Sequence, residues 1–374
     1  MKFTCSVSDL KKALANTCRA VPTQPAHPIL TNVKIDANLQ MVKISGFDLS
    51  VGIQSQFTGD IEEIGSIAIP AKLLSDVISK IPESDVTLDD TKTGEYLLTI
   101  SSGTTVIKIQ GCSADEFPDL PIEQGASYKF PVDSFLAGIN GSIVACSQDE
   151  TKYILQGVNL KVSAQTVTFA ATDGHRIGKV VALSPSSTEN HISEEYQLTI
   201  PSVALQRIRA MLGKAEKLEM RYSSDQITFQ SEDWLLTSRI LDGIYPNYES
   251  LIGTKFERSI ALSRLTLIKS LERLSIFASH ENLVKLAINS ETSNIRLSTS
   301  NELGSNGIEE VHGNISGTSI DVAFNIKYLL EGLKTLVTDT ILMKMNGNLH
   351  PVVFSTTNYS PEGLYLVMPV QLRE

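Results

Sequence analysis

The chain has 374 residues, 42% of them hydrophobic and 20% charged, a balance that supports packed globular domains and a length that suits two or three of them. Its four cysteines form no C-x-x-C pair, and no window approaches the roughly eighteen consecutive apolar residues of a membrane span, which sets aside a zinc module and a transmembrane helix. A net charge of −10 argues at first against nucleic acid, because phosphate attracts basic surfaces.

The opening MKFTCSVSDL lacks the apolar core of a signal peptide, which with the unpaired cysteines predicts a reduced, cytoplasmic protein. Residues 2–6 predict a strand, and Ser8 the N-cap of a helix to about Val21 with Leu10, Leu14 and Cys18 on its buried face. A proline-rich loop at 22–28 precedes strands at 29–37, 41–46 and 51–57. At residues 69–81, IPAKLLSDVISKI, an apolar run ends at Pro70 and a helix begins, its stripe made by Leu73, Leu74, Val77, Ile78 and Ile81. Proline fits there because its missing N–H would have no intrahelical partner. Strands at 86–89, 96–101 and 105–110 follow, then a linker at 119–127.

The same order then returns. A strand ending at Pro131 leads to a helix at 132–147 and strands at 157–162, 166–171 and 177–182, followed by a Ser/Glu-rich loop at 184–195. After a strand at 196–200, IPSVALQRIRAML at 200–212 repeats the helix start, with Leu205, Ile208, Met211 and Leu212 as its stripe. Strands at 217–222, 226–230 and 234–240 close this third. The last third begins near Phe256 with a helix at 262–277 and strands near 284–289, 294–299 and 319–324. FNIKYLLEGLKTL at 324–336 gives a third helix of the same kind, striped by Leu329, Leu330, Leu333 and Leu336, and strands at 340–345, 352–355 and 363–368 end the chain.

Other landmarks keep the period. Pro70 and Pro201 lie 131 residues apart, Pro201 and Asn325 124. An aspartate corner recurs at Gly46-Phe47-Asp48 and Thr172-Asp173-Gly174, more weakly at Asn301-Glu302, and Phe117-Pro118-Asp119 is matched by Tyr245-Pro246-Asn247. The expectation is an α+β chain of three tandem repeats of one domain, at 1–122, 128–252 and 256–374, each with two helices packed on antiparallel sheets.

Signatures of catalysis are missing: there is no G-x-G-x-x-G, P-loop, G-x-S-x-G or H-E-x-x-H, and six histidines and four cysteines form no ligand set. No catalytic residue, metal or cofactor is expected. Asp173 and His175 have the residue types of a base and its orienter or of two metal ligands, but Asp-Gly between two apolar runs is a tight-hairpin signal, and the corner recurs at Asp48 without a histidine.

The charge is unevenly spread. The six helix windows together carry +8, so the remaining residues carry −18. Lys11, Lys12, Arg19, Lys72, Lys80, Arg207, Arg209, Lys214, Arg264, Lys269, Arg273, Lys327 and Lys334 supply the positive charge. They read either as ordinary solvated helix faces or as one basic surface for sequence-independent phosphate contact.

TDGHRI at 172–177, YPNY at 245–248, FNIKYL at 324–329 and YLVMPV at 365–370, set in three tandem repeats, resemble the bacterial DNA sliding clamps, the beta subunits of DNA polymerase III. The resemblance covers the whole chain. It implies a head-to-tail homodimer, six clamp-type domains closing a ring around double-stranded DNA, with helices toward the duplex and contacts to phosphate without base readout. It implies partners carrying short peptide motifs, namely the polymerase subunit, the clamp loader and repair proteins, and no membrane. The peptide pocket maps onto Leu155, Thr172, Gly174, His175, Arg176, Ile177, Pro246 and Leu251, with Asn325, Tyr328, Pro351, Val367, Met368, Pro369 and Val370 from the third repeat. Ile107 and Ile109 on an edge strand map to a ring interface with Ile276 and Phe277 at a helix end. Gln148, Lys152 and Tyr153 map to a DNA-facing loop; Gln24 stands where family members carry an arginine, and Ser250 where a basic residue is frequent. The tail continues as Gln371-Leu-Arg-Glu374 beyond the pocket rim.

Overall fold

The computed structural model describes residues 1–371 apart from 83, 92–95, 126, 184–185, 188–194, 214–216, 279–281, 301–304 and 358. Lys214, the Asn301-Glu302 turn, most of the 184–195 loop and residues 372–374 therefore lie outside the described residues. Among the described residues there are six α-helices, two in each third: α1 (Val7–Thr17), α2 (Ala71–Lys80), α3 (Val132–Ser142), α4 (Ser202–Leu212), α5 (Arg264–Ser275) and α6 (Ile326–Thr335). None is long and apolar enough to cross a membrane.

Local chemistry sets the helix starts. Ser6, not Ser8, caps α1: its Oγ accepts the Ser8 N–H at 3.1 Å, which lets the fully buried Val7 begin the helix. Ser263 caps α5, and Asn325 caps α6 by accepting from the N–H groups of Lys327 and Tyr328. Pro70 stands just ahead of α2, whose buried face is Ala71, Leu74 and Ile78. Leu73, expected in that stripe, is 50% exposed. Two elements carry too little apolar pattern to have been predicted: the strand Asp60–Glu63 and the eleven-residue strand Asn306–Ser316.

The chain forms two compact units that do not follow the repeat boundaries. Unit 1 holds Met1–Val132, Ser186–Glu189 and Val203–Ile240. Its five-stranded sheet runs Asp60–Glu63, Lys2–Ser6, Asp85–Asp89, Leu97–Ser102, Thr105–Gln110, so that Thr105–Gln110 is an edge strand. Its nine-stranded sheet crosses from the first repeat to the second where Val51–Phe57 pairs antiparallel with Trp234–Arg239, Ser55 opposite Trp234. Phe3, Leu10, Leu14, Ile35, Leu74 and Ile78 are fully buried in one core cluster, which joins α1 and α2 to both sheets.

Unit 2 holds Asp133–Pro185, Asn190–Ser202 and Leu241–Glu374. Its twelve-stranded sheet crosses from the second repeat to the third where Arg176–Leu183 pairs with Glu362–Val367, Arg176 opposite Val367. Leu267 and Leu271 of α5 and Leu329 and Leu333 of α6 pack with Phe324, Phe354 and Tyr365. All four cysteines are free. Burial pushes the thiols of Cys5 and Cys146 up to about 12, so they stay neutral packing groups; Cys18 and Cys112 are only half-buried.

Candidate peptide pocket and basic helix surfaces

Within unit 2 the 173–176 loop is fixed by its own side chains. Asp173 Oδ1 accepts the N–H groups of His175 and Arg176 at 2.9 and 3.1 Å. Thr172 Oγ1 accepts from the Gly174 N–H at 3.1 Å and donates to the Arg176 carbonyl at 2.7 Å. Gly174 adopts φ +96°, while Asp173 keeps negative φ, so the connection is a four-residue loop with an aspartate staple rather than the expected two-residue turn. The corner at Asp48 is built alike, its Oδ1 accepting from the N–H groups of Ser50 and Val51.

Two other segments meet this loop. The Met368 N–H donates to the His175 carbonyl and the Val370 N–H to the Ala323 carbonyl, both at 2.8 Å, which lays residues 368–370 between the loop and the strand leading into α6. Tyr328, in the first turn of α6, forms the facing wall. The Arg176 guanidinium carbon sits 4.3 Å from its ring centroid, and the His175 ring lies 6.4 Å away at 25°. Arg176 Nε donates to Asp173 Oδ2 at 2.8 Å, and its Nη1 to Glu331. Burial works against this guanidinium's charge, but Glu331, then Tyr365 and Asp173, hold it above its usual range. Burial likewise pushes Tyr365 up, so its hydroxyl stays protonated and donates to the Tyr328 carbonyl at 2.8 Å.

Beneath the loop, Ala170, Ile177, Tyr245, Tyr248, Val353 and Leu366 form a small buried cluster, with Leu155 packed against it. The Tyr245 hydroxyl accepts the Thr172 N–H at 3.0 Å, anchoring a turn on which Ile244 is 96% exposed and Pro246 is exposed. The structure thus brings together Leu155, Thr172, Gly174, His175, Arg176, Ile177, Asn325, Tyr328, Val367, Met368, Pro369 and Val370 by direct contact or adjacency in the chain. Ile177 and Val367 are buried, so they floor the site and do not line it. Pro246 follows the anchored Tyr245, Pro351 precedes Val352 (paired with Val367), and Leu251 is 53% exposed on the Glu249–Leu251 turn. Sequence reasoning missed Glu331, Tyr365 and Tyr245. Glu331, one helical turn beyond Tyr328, was the member open to detection.

The basic residues divide. Lys72, Lys269 and Lys327 are exposed and pair with no carboxylate among the described residues; Arg19 and Gln24 are also exposed. Others are committed within the chain. Lys12 pairs with Asp233, Arg207 with Asp48 at 2.9 Å, Arg273 with Glu309 at 2.6 Å and Lys334 with Glu272 at 2.7 Å. Lys11 and Arg264 donate to the carbonyls of Ile81 and Thr338. Lys80, Arg209, Gln148, Lys152 and Tyr153 are exposed, and Lys152 Nζ donates to the Asp173 carbonyl at 3.2 Å, on the 173–176 loop.

The two isoleucines expected at the ring interface lie on the edge strand Thr105–Gln110. Ile109 is 2% exposed and Ile107 packs on the core, while Val106 is 61% exposed. Ile276 and Phe277, at the end of α5, are 78% and 39% exposed. Beside them, among the described residues, Asn306–Ser316 pairs over 306–312 with Asn294–Ser300 and has no strand partner on its second edge there.

Family models for the N-terminal, central and C-terminal domains of the DNA polymerase III beta subunit match residues 1–121, 129–247 and 249–371. A beta sliding clamp of Synechococcus elongatus is 40% identical over 381 residues, with all of both chains covered. One of Bacillus subtilis is 30% identical over 383 residues, covering 99% of this chain and all of the relative. The crystal structure of the DNA polymerase sliding clamp from Bacillus subtilis superposes with a TM-score of 0.93 at 28% identity, covering all of both chains.

Proposed function

Because the chain belongs to the family of DNA polymerase III beta subunits, the bacterial sliding clamps, we propose that it is a cytoplasmic processivity factor, a ring that encircles duplex DNA and tethers the replicative polymerase. The observation that carries this reading is the match of all three domain models, in order, along one chain. Nothing is turned over. The ring is a head-to-tail homodimer of three-domain subunits, divided at 1–122, 128–252 and 256–374.

Two strand edges support that assembly. Among the described residues, 105–109 in unit 1 and 306–312 in unit 2 each have one side with no strand partner; Val106 and Ile308 are exposed apolar residues on these strands, and Ile276 and Phe277 are exposed at the end of α5, Phe277 beside Gly307. Pairing the first edge of one copy with the second edge of another is a heterologous contact, which closes when two copies satisfy both ends. On DNA, a few unpaired lysines such as Lys72, Lys269 and Lys327 contact phosphate weakly and without base readout, while topology holds the ring in place. The remainder's charge of −18 repels DNA from other surfaces. The 172–177 loop, Tyr328 and residues 367–370 receive partner peptides with leucine and phenylalanine anchors, as a shallow apolar site with few orienting polar groups does.

Light scattering across a dilution series tests the assembly. The expected mass is twice the 40.8 kDa subunit down to submicromolar concentration. A monomer throughout would contradict the ring.

A further inference from the structure

The two crossings between repeats use the same parts with one charge reversed. Aligning Asp48 with Asp173 and Pro201 with Asn325 places Arg207 of α4 where α6 carries Glu331. In unit 1, Arg207 Nη2 meets Asp48 directly at 2.9 Å, and both side chains are largely shielded. In unit 2 the helix residue is an anion, so it holds the corner arginine: Arg176 bridges Asp173 and Glu331 and lies over Tyr328. The first crossing has Val51 in place of Arg176, Ser50 in place of His175 and the fully buried Ala204 in place of Tyr328.

We infer that Glu331 is a positioning residue of the peptide pocket, pulling the Arg176 guanidinium onto the Tyr328 ring and so fixing the wall against which a partner peptide packs. This rests on the pocket reading above. Glu331 itself is 50% exposed at its side chain and reaches the wall through Arg176. With Asp173 but not Glu331, the guanidinium keeps its Nε anchor and the Tyr365 hydroxyl beside it but loses the partner at Nη1 that draws it over the ring. With both, it is clamped at two ends, and a charge-assisted pair at each end fixes its plane. An arginine at position 331 reproduces the first crossing: it competes for Asp173 and repels Arg176.

The test uses the full chain and a fluorescein-labelled short peptide carrying leucine and phenylalanine anchors, with an alanine-substituted control, read by anisotropy. If the unmodified protein does not bind the probe in preference to the control, the pocket reading fails. If it binds, Glu331→Gln is expected to weaken binding about fivefold and Glu331→Arg at least about tenfold, with Glu331→Asp recovering part of the loss. Melting temperatures of the Gln and Asp variants are expected to stay close to that of the parent, because the side chain is half exposed. A residue acting through Tyr328 adds nothing once that ring is gone. In a Tyr328→Ala background the Gln change is therefore expected to cost under about twofold more. Unchanged affinity in Glu331→Gln, or losses that simply multiply with Tyr328→Ala, would overturn the inference.

Discussion

Replacing Ile276 and Phe277 together by aspartate is expected to yield a folded monomer that no longer stays on circular DNA. In the single chain these side chains are 78% and 39% exposed, so the substitution removes little from the subunit's own core. The side chain of Phe277 still lies near Gly307, where an added Cβ would come within 3.3 Å of its ring, placing it beside the open edge of the Asn306–Ser316 strand. Carboxylates buried against that edge would find one lysine, Lys108, on the strand Thr105–Gln110 proposed to meet it, and a desolvated charge left unpaired costs several kcal/mol. Two aspartates per contact leave at least one such charge, a large fraction of the surplus of most protein interfaces. Light scattering should then give the 40.8 kDa subunit, with an unchanged circular dichroism spectrum. A dimer of undiminished stability would mean that the end of α5 lies outside the interface.

Gly332→Ala should cost about 1–3 kcal/mol of stability in unit 2, the usual penalty for forcing atoms into a filled core. A Cβ built on Gly332 would fall 2.0 to 2.3 Å from three ring carbons of Tyr365, which is fully buried and cannot swing away. Relief requires α6 to lift from the Glu362–Val367 strand. That movement would also break the hydrogen bond from the Tyr365 hydroxyl to the Tyr328 carbonyl, worth about 1 kcal/mol, and displace the pocket wall. Thermal unfolding and peptide anisotropy should therefore worsen together. Intact stability would show that the strand, rather than the helix, yields.

The repeat was legible because its signals are local. A proline or asparagine before an apolar stripe, an aspartate corner and an aromatic-proline turn each span a few residues, and their period survives in the folded chain as two helices per third. What joins the repeats was not legible. Val51–Phe57 finds Trp234–Arg239, and Arg176–Leu183 finds Glu362–Val367, across separations at which no periodicity speaks. Edge strands were the weakest elements to read, since Asp60–Glu63 and residues 306–310 bury little and need no apolar alternation. At the edge that was recognised, Ile107 and Ile109 face the core, because an edge strand still has one covered face.

The candidate pocket shows the same division. TDGHR marked its loop, and Asn325 with Tyr328 marked its opposite wall, but the bridge between them runs from Arg176 to Glu331, 155 residues away. Charge counting over helices found the basic residues without distinguishing those committed to a partner. Arg207, Arg273 and Lys334 serve ion pairs inside the chain, and only the geometry separates them from Lys72, Lys269 and Lys327.

The most direct measurement is retention on DNA of changed topology. After loading onto a nicked circular plasmid by a bacterial clamp loader, the protein should co-elute with the circle at salt concentrations that abolish ordinary phosphate contacts. It should then be released within minutes when a restriction enzyme linearises the plasmid. Retention that is equal on circular and linear DNA, or that disappears with salt on both, would contradict a ring held by topology.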